Sequence, residues 1–232
     1  MLNSSLICVA GLKGSGKDET AKMIQFCLNA PKYLRWYWVY KYFNIFSEGK
    51  YKIVRFADNI KSILSILLSV DVDKFEDRDF KENYYIDFTT LTIHHKDLVD
   101  KEKILSDSKF SKLAKDLNPI LTEDYFLSVR QLLQYFGTEI MRYYFGDRLW
   151  ILSTYRQGSK NLIVSDLRFK VELEESKKKG GNIIYIHRPG CKIGTHASER
   201  ELADIYENKE YTYLINNSGN LKDLFNNVKK LI

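Results

Sequence analysis

The amino-acid sequence predicts an α/β fold in which a parallel sheet of about five strands is covered by helices on both faces. Two observations carry this expectation. Short apolar, β-branched runs alternate with stretches whose apolar residues recur at helical spacing, the pattern of parallel strands joined by crossover helices. The first such unit, residues 5–27, passes from an apolar run ending at Ala10 through Gly11-Leu-Lys-Gly-Ser-Gly16-Lys17 into a helical pattern with Ala21, Ile24 and Leu28.

The Gly-x4-Gly-Lys spacing suits a phosphate cradle. Glycines let successive backbone N–H groups turn inward, the lysine reaches the β/γ-phosphates, and the helix start adds partial positive charge. Strand, loop and helix together make this a three-layer P-loop NTPase fold, with Gly11, Lys13, Gly14, Ser15, Gly16, Lys17, Asp18 and Glu19 as the expected ATP-binding set. Asp18 stands where a Ser or Thr hydroxyl ordinarily helps hold Mg²⁺. It offers either a carboxylate oxygen to Mg²⁺, directly or through water, or an acidic complement to the helix dipole. Thr20 cannot substitute, because two residues along a helix is about 200° around the axis.

Composition bounds the rest. The 232 residues suffice for one α/β domain with an insertion, and are few for two independent domains. Cys8, Cys27 and Cys191 are odd in number and lack metal or disulfide spacing. There is no leader-like start and no apolar run of membrane-spanning length, so a cytoplasmic protein with no membrane partner is expected, in the host cytoplasm if viral. The net charge of +6 fits a cleft for polyanionic nucleotides as well as it fits nucleic acid. Lys177-Lys178-Lys179 before Gly180-Gly181 reads as a solvated helix end.

After the first helix, residues 33–46 are basic and unusually aromatic. Such a stretch could stack single-stranded bases; core packing or a subunit contact, hence a homodimer, is the favoured reading. A second strand is expected over 51–56, then a helix from 57–59 with Ile60, Ile63, Leu64 and Leu67 on one face. From about 70 to 126 the chain turns polar, with few strand signals. It reads as a partly helical substrate-side insertion, in which Ile104, Leu105, Phe110, Leu113 and Leu117 still recur. His94-His95 lacks a ligand partner. A long amphipathic helix is expected over 127–145, with Arg130, Gln134 and Thr138 on one stripe that Arg142 continues. Another helix reaches Tyr155. A strand over 161–165 ends in Asp166-Leu-Arg168, placing a carboxylate where P-loop enzymes hold Mg²⁺ or its waters. A helix over 171–179, a strand over 182–187, a loop over 188–200, a strand over 213–216 and a helix over 221–231 complete the chain.

Three separated stretches resemble the deoxynucleoside monophosphate kinases of bacteriophages and large DNA viruses: the loop ending Gly16-Lys17-Asp18; Arg130-Gln-Leu-Leu-Gln-Tyr-Phe-Gly-Thr-Glu-Ile-Met-Arg142 with Trp150; and Ser165-Asp-Leu-Arg-Phe-Lys-Val-Glu172. Phe56-Ala57-Asp58 with Lys61, His196-Ala-Ser-Glu199, and Asn216-Asn217-Ser-Gly fit the same picture. The resemblance implies a nucleoside-monophosphate-kinase-like chain, with a core of about 1–69 and 127–232, the insertion of about 70–126 and a lid loop of about 188–200. It implies transfer of the ATP γ-phosphoryl group, with Mg²⁺, to a deoxynucleoside monophosphate. Lys17 would contact the donor phosphates, Asp166 and Asp18 would serve Mg²⁺, and Arg168 would bridge donor and acceptor. Arg130 and Arg142 would hold the acceptor phosphate. Phe56, Asp58, Lys61, Gln134, Thr138, Trp150 and Glu172 would complete the substrate side, and Arg188, Glu199 and Arg200 the lid.

Two rivals are weighed. Animal-type phosphomevalonate kinases share a similar Lys-Asp phosphate loop, but two arginines with an amide and an aromatic wall suit a base. A nucleic-acid-dependent ATPase lacks support at the strand end, where Asp166-Leu-Arg168 stands in place of Asp-Glu. No nucleic acid partner is therefore expected.

Overall fold

A computed structural model describes residues 2, 4–43, 46, 48–87, 92–98, 126–156, 160–194 and 197–232. The five apolar positions from Ile104 to Leu117, and His196, lie outside the described residues. Two compact units emerge, one of residues 1–57 and 147–232, the other of residues 58–146.

The first unit is built on strands β1 (Leu6–Ala10), β2 (Lys52–Val54), β6 (Leu162–Leu167), β7 (Asn182–His187) and β8 (Tyr213–Asn216). They form one sheet in the order β2–β6–β1–β7–β8, each pair parallel. Every residue of β1 and β6 is buried, which requires cover on both faces. One face carries α1 (Lys17–Asn29), α2 (Tyr37–Phe43) and α10 (Leu221–Lys229), whose Met23, Ile24, Tyr37, Phe225 and Val228 pack over Ile7, Val9 and Ile184. On the other, Cys8 Sγ donates to Ser176 Oγ of α8 (Lys170–Lys178), which also meets the Tyr155 hydroxyl at the end of α7 (Leu149–Tyr155). Tyr206 of α9 (Ala197–Glu207) packs at a tilt against Tyr185 and stacks on His187 of β7. The result is the expected three-layer α/β sandwich with five parallel strands.

The second unit differs from expectation. Strands β3 (Tyr84–Asp87), β4 (Thr92–His95) and β5 (Phe126–Ser128) form an antiparallel sheet in the order β4–β3–β5. Ile86 pairs with both Ile93 and Leu127. The strand signal sits in Tyr84-Tyr85-Ile86, aromatic and β-branched residues that favour a pleated surface. Helices α3 (Asp58–Leu68) and α4 (Arg78–Asn83) accompany it, with Phe75 and Phe80 edge to face in the buried centre.

The helix expected over 127–145 begins later and is interrupted. Ser128 ends β5 and forms a capping box with Gln131, each side chain bonding the other's backbone N–H. Helix α5 (Val129–Tyr135) then widens into a π turn over Phe136–Ile140 before α6 (Met141–Phe145). Gly137 sits in the widened turn against Ile60 of α3, where an added Cβ would meet Ile60 Cδ1 at 2.6 Å.

Candidate active site

In the first unit, the loop after β1 is held from three sides. An added Cβ on Gly11 would stand 2.5 Å from Ser15 Oγ and 2.7 Å from Ile186 O of β7, so only glycine lets the chain turn this close to the neighbouring strand. Gly16 has φ +94° and caps α1; its Cβ would meet Asn217 Nδ2 at 2.7 Å. Asn217 is buried just past β8, where its side-chain amide donates to Ser15 O at 2.8 Å and its backbone N–H donates to His187 O. The amide thus fixes the loop from the C-terminal edge of the sheet. Asn216-Asn217-Ser-Gly stood out in the sequence only through the family resemblance, and nothing in its spacing assigned this role to Asn217.

Lys17 opens α1 and is buried. Burial, and then the nearby Arg168 guanidinium, hold its ammonium below the usual lysine range, while Asp18, Glu199 and Asp166 oppose that shift. Lys13, Gly14 and Asp18 are exposed. Thr20 is spent locally, its hydroxyl donating to Gly16 O at 2.9 Å. Glu19 accepts a hydrogen bond from the Tyr40 hydroxyl of α2.

Strand β6 lies beside β1, with Ala10 opposite Leu167, so Arg168 leaves the sheet next to the glycine loop. Asp166 is not beyond the strand, as expected, but within it. Its Oδ1 accepts the Phe56 N–H at 2.8 Å and its Oδ2 the Ala57 N–H at 3.0 Å, tying down the chain after β2. Phe56 is buried against the Tyr155 ring. Glu172 is also buried and caps α8 from within: its Oε2 accepts the backbone N–H of Arg168 at 2.7 Å and of Phe169 at 3.1 Å. The Arg168 guanidinium approaches Glu199 Oε1 at 3.9 Å. Glu199 and Arg200 belong to the first turn of α9, where a loop was expected through residue 200; Arg188 follows β7 and is exposed. Glu201, not singled out in the sequence, accepts the Lys170 N–H at 2.7 Å.

Three buried oxygens near this edge, Ser15 Oγ, Ser165 Oγ and Glu199 Oε2, have no hydrogen-bond partner among the described residues. Buried polar atoms are ordinarily paired, so their vacancy fits a site that takes polar ligand atoms. A nucleotide polyphosphate fits the glycine cradle. A hard cation fits the carboxylates, since Mg²⁺ uses one or two of them together with phosphate oxygens.

In the second unit, Lys61 is buried and pairs with Glu76 at 2.6 Å and Asp58 at 3.6 Å. Arg130 Nε pairs with Glu82 at 2.8 Å. Gln134 and Thr138 are half-buried and Arg142 buried. The π turn changes the expected stripe. Twelve residues of regular helix would leave Arg142 about 120° from Arg130, and the extra residue in the π turn removes about 100° of that. Arg142 therefore returns to within about 20° of Arg130. Trp150 belongs to the first unit and is buried in α7.

The family model described as deoxynucleotide monophosphate kinase matches residues 5–228. The chain belongs to this family. It is similar to the deoxynucleotide monophosphate kinase of Enterobacteria phage T4, 25% identical with 98% of each chain covered, and to that of Escherichia phage RB69, 24% identical with 98% of this chain and 99% of the relative covered. A putative deoxynucleotide monophosphate kinase of Acanthamoeba polyphaga mimivirus is 30% identical over 115 residues, 43% of this chain and 58% of that protein. Membership in the deoxynucleotide monophosphate kinase family makes the chain a nucleotide kinase. Among its described residues, no helix is long and apolar enough to cross a membrane.

Proposed function

We propose that this kinase transfers the γ-phosphoryl group of ATP to a deoxynucleoside monophosphate, giving the diphosphate and ADP. The observation that carries the reading is the meeting of the glycine loop and Arg168 at the ends of neighbouring parallel strands, with Lys17 within the field of Arg168. The nearby carboxylates do not restore Lys17 to its usual range, and a polyphosphate supplies the further negative charge that the two cations suit.

Phosphoryl transfer leaves little covalent work for the protein, so catalysis is positioning and charge stabilisation. In this reading the backbone N–H groups of Gly14, Ser15 and Gly16 cradle the donor phosphates and Lys17 contacts them, with Lys13 and Arg188 alongside. Arg168 bridges donor and acceptor. Glu172 positions it by gripping the backbone on which it stands. Asp18 and Asp166 are the carboxylates that would hold Mg²⁺ or its waters, and both Asp166 oxygens also accept backbone amides. Bound Mg²⁺ neutralises charge on the phosphate oxygens. Arg130 and Arg142 hold the acceptor phosphate, Gln134, Thr138 and Trp150 serve its nucleoside, and Glu199 and Arg200 close over the donor to exclude water.

The decisive experiment is an ADP-release assay with ATP and Mg²⁺ across deoxynucleoside monophosphates, ribonucleoside monophosphates and phosphomevalonate. At least one deoxynucleoside monophosphate is expected to accelerate ADP release and to appear as its diphosphate. Release driven by phosphomevalonate alone would overturn the acceptor assignment.

A further inference from the structure

The aromatic segment after α1 divides between two environments. Tyr37 and Tyr40 of α2 turn inward, their rings 5.9 and 5.7 Å from Phe225. Tyr33, Trp36, Trp38 and Tyr42 turn outward and are 54–75% exposed. Four large aromatics within ten residues rarely face water unless something covers them.

Their arrangement narrows what does. Trp38 and Tyr42, one helical turn apart, are stacked with planes 11° apart and centroids separated by 5.8 Å. Lys41 Nζ lies 5.7 Å from the Trp38 ring centre and 5.2 Å from that of Tyr42, and Lys229 Nζ lies 5.0 Å from that of Trp36. A groove of about 460 Å³ opens on the inward side of α2, with Glu19, Lys22, Tyr37, Tyr40, Lys41 and Phe46 among its walls. Residues 31–43 hold Lys32, Arg35 and Lys41 and no acidic residue.

We propose that the outward face of α2, with Tyr33 and Trp36 before it, is a platform for single-stranded nucleic acid. Every base has a π-face to lay on an exposed ring, and the lysines that stand over these rings swing aside to meet the phosphates between bases. The charge pattern argues against a second copy of this chain. A twofold contact would lay the same face against itself and bring like charges together with no carboxylate in the segment to answer them. A polyanion with aromatic bases complements both features. The platform uses none of the residues assigned to phosphoryl transfer, so this inference stands apart from the catalytic reading.

The test uses the full chain and fluorescein-labelled dT20 and rU20, followed by anisotropy and by quenching of intrinsic fluorescence. Two of the three tryptophans, Trp36 and Trp38, lie on the platform and Trp150 is buried, so quenching reports the face directly. Binding that weakens steeply with salt is expected. The double variant Trp38→Ala, Tyr42→Ala should lose at least tenfold in affinity with kinase turnover retained. Lys41→Gln, which leaves the rings in place, should lower the slope of log K against log salt by ~0.7. Absence of binding to either oligonucleotide at low salt, or binding indifferent to these substitutions, overturns the proposal. So does a protein dimer in sedimentation that the aromatic double variant dissolves, which would give the face to a second copy.

Discussion

Lys17 carries opposed demands. Its ammonium is desolvated and faces Arg168 before any nucleotide arrives, so folding holds it below the usual lysine range. A base whose folded pKa is depressed costs stability in full below that value, and the cost is relieved as pH rises toward the unfolded value. Lys17→Met should therefore leave the ligand-free protein as stable as the parent or a few degrees more so in thermal melts. The gap should close as pH climbs through the alkaline window just below the ordinary lysine range, and turnover should fall by about 10²-fold or more. A ligand-free variant markedly less stable than the parent at neutral pH would contradict this. Arg168→Lys makes the complementary point. The fold should survive, because Glu172 grips the backbone and not the side chain of residue 168. A lysine cannot fork between two phosphates, and loss of a well-placed arginine can cost ~10³-fold or more in kcat. Near-parental turnover would remove Arg168 from the reaction. The glycines, Lys17 and Arg168 were legible in the sequence because each sits at a strand end that hydrophobic patterning locates. Asn217 was less so, since the atom it bonds, Ser15 O, is 202 positions away in the chain.

At the scale of elements, the central strands and the helices between them could be read because burial on both faces leaves unbroken apolar runs. The misread elements each had a competing signal. Strands β3 and β4 sit in polar sequence, and only the exchange of Tyr84 with His95 and Ile86 with Ile93 across the ladder makes their pattern meaningful. Helix α9 keeps Leu202 and Ile205 buried at helical spacing, but it follows a Pro-Gly turn and a run of polar residues that reads as loop. The π turn between α5 and α6 leaves no mark that spacing can detect, since it holds one residue more than a regular turn. Its consequence is testable. Inserting one alanine after Thr138, beyond the one extra residue that the π turn absorbs, should swing Arg142 about 100° away from the Arg130 face. KM for the monophosphate should rise at least tenfold, with the circular dichroism spectrum preserved and KM for ATP little changed. An unaltered acceptor KM would show that the common face of Arg130 and Arg142 is unimportant.

Over the whole molecule, the net charge of +6 meets substrates that are all polyanions. Salt screens such attraction over about 8–10 Å at 0.1–0.15 M ionic strength. Second-order capture of the monophosphate, kcat/KM, should therefore fall as ionic strength rises, with kcat changing less, because charge steers encounter more than it alters the closed site. A kcat/KM independent of salt would mean that the basic surface plays no part in substrate capture. The excess charge was visible in composition from the start. Its division was not, because only folding shows that Lys41 and Lys229 stand over exposed rings while Lys61 is consumed by Glu76 and Asp58.

The three thiols are unequal. Burial pushes Cys8 up to about 12 and Cys27 to about 11, so both resist alkylation at neutral pH. Cys191 is half-buried, with its Sγ 3.9 Å from where a Cβ on Gly14 would stand. A maleimide dye should accordingly mark a single position at the rim of the phosphate cradle. Saturating ATP should slow that labelling, which would turn an otherwise idle side chain into a built-in occupancy gauge.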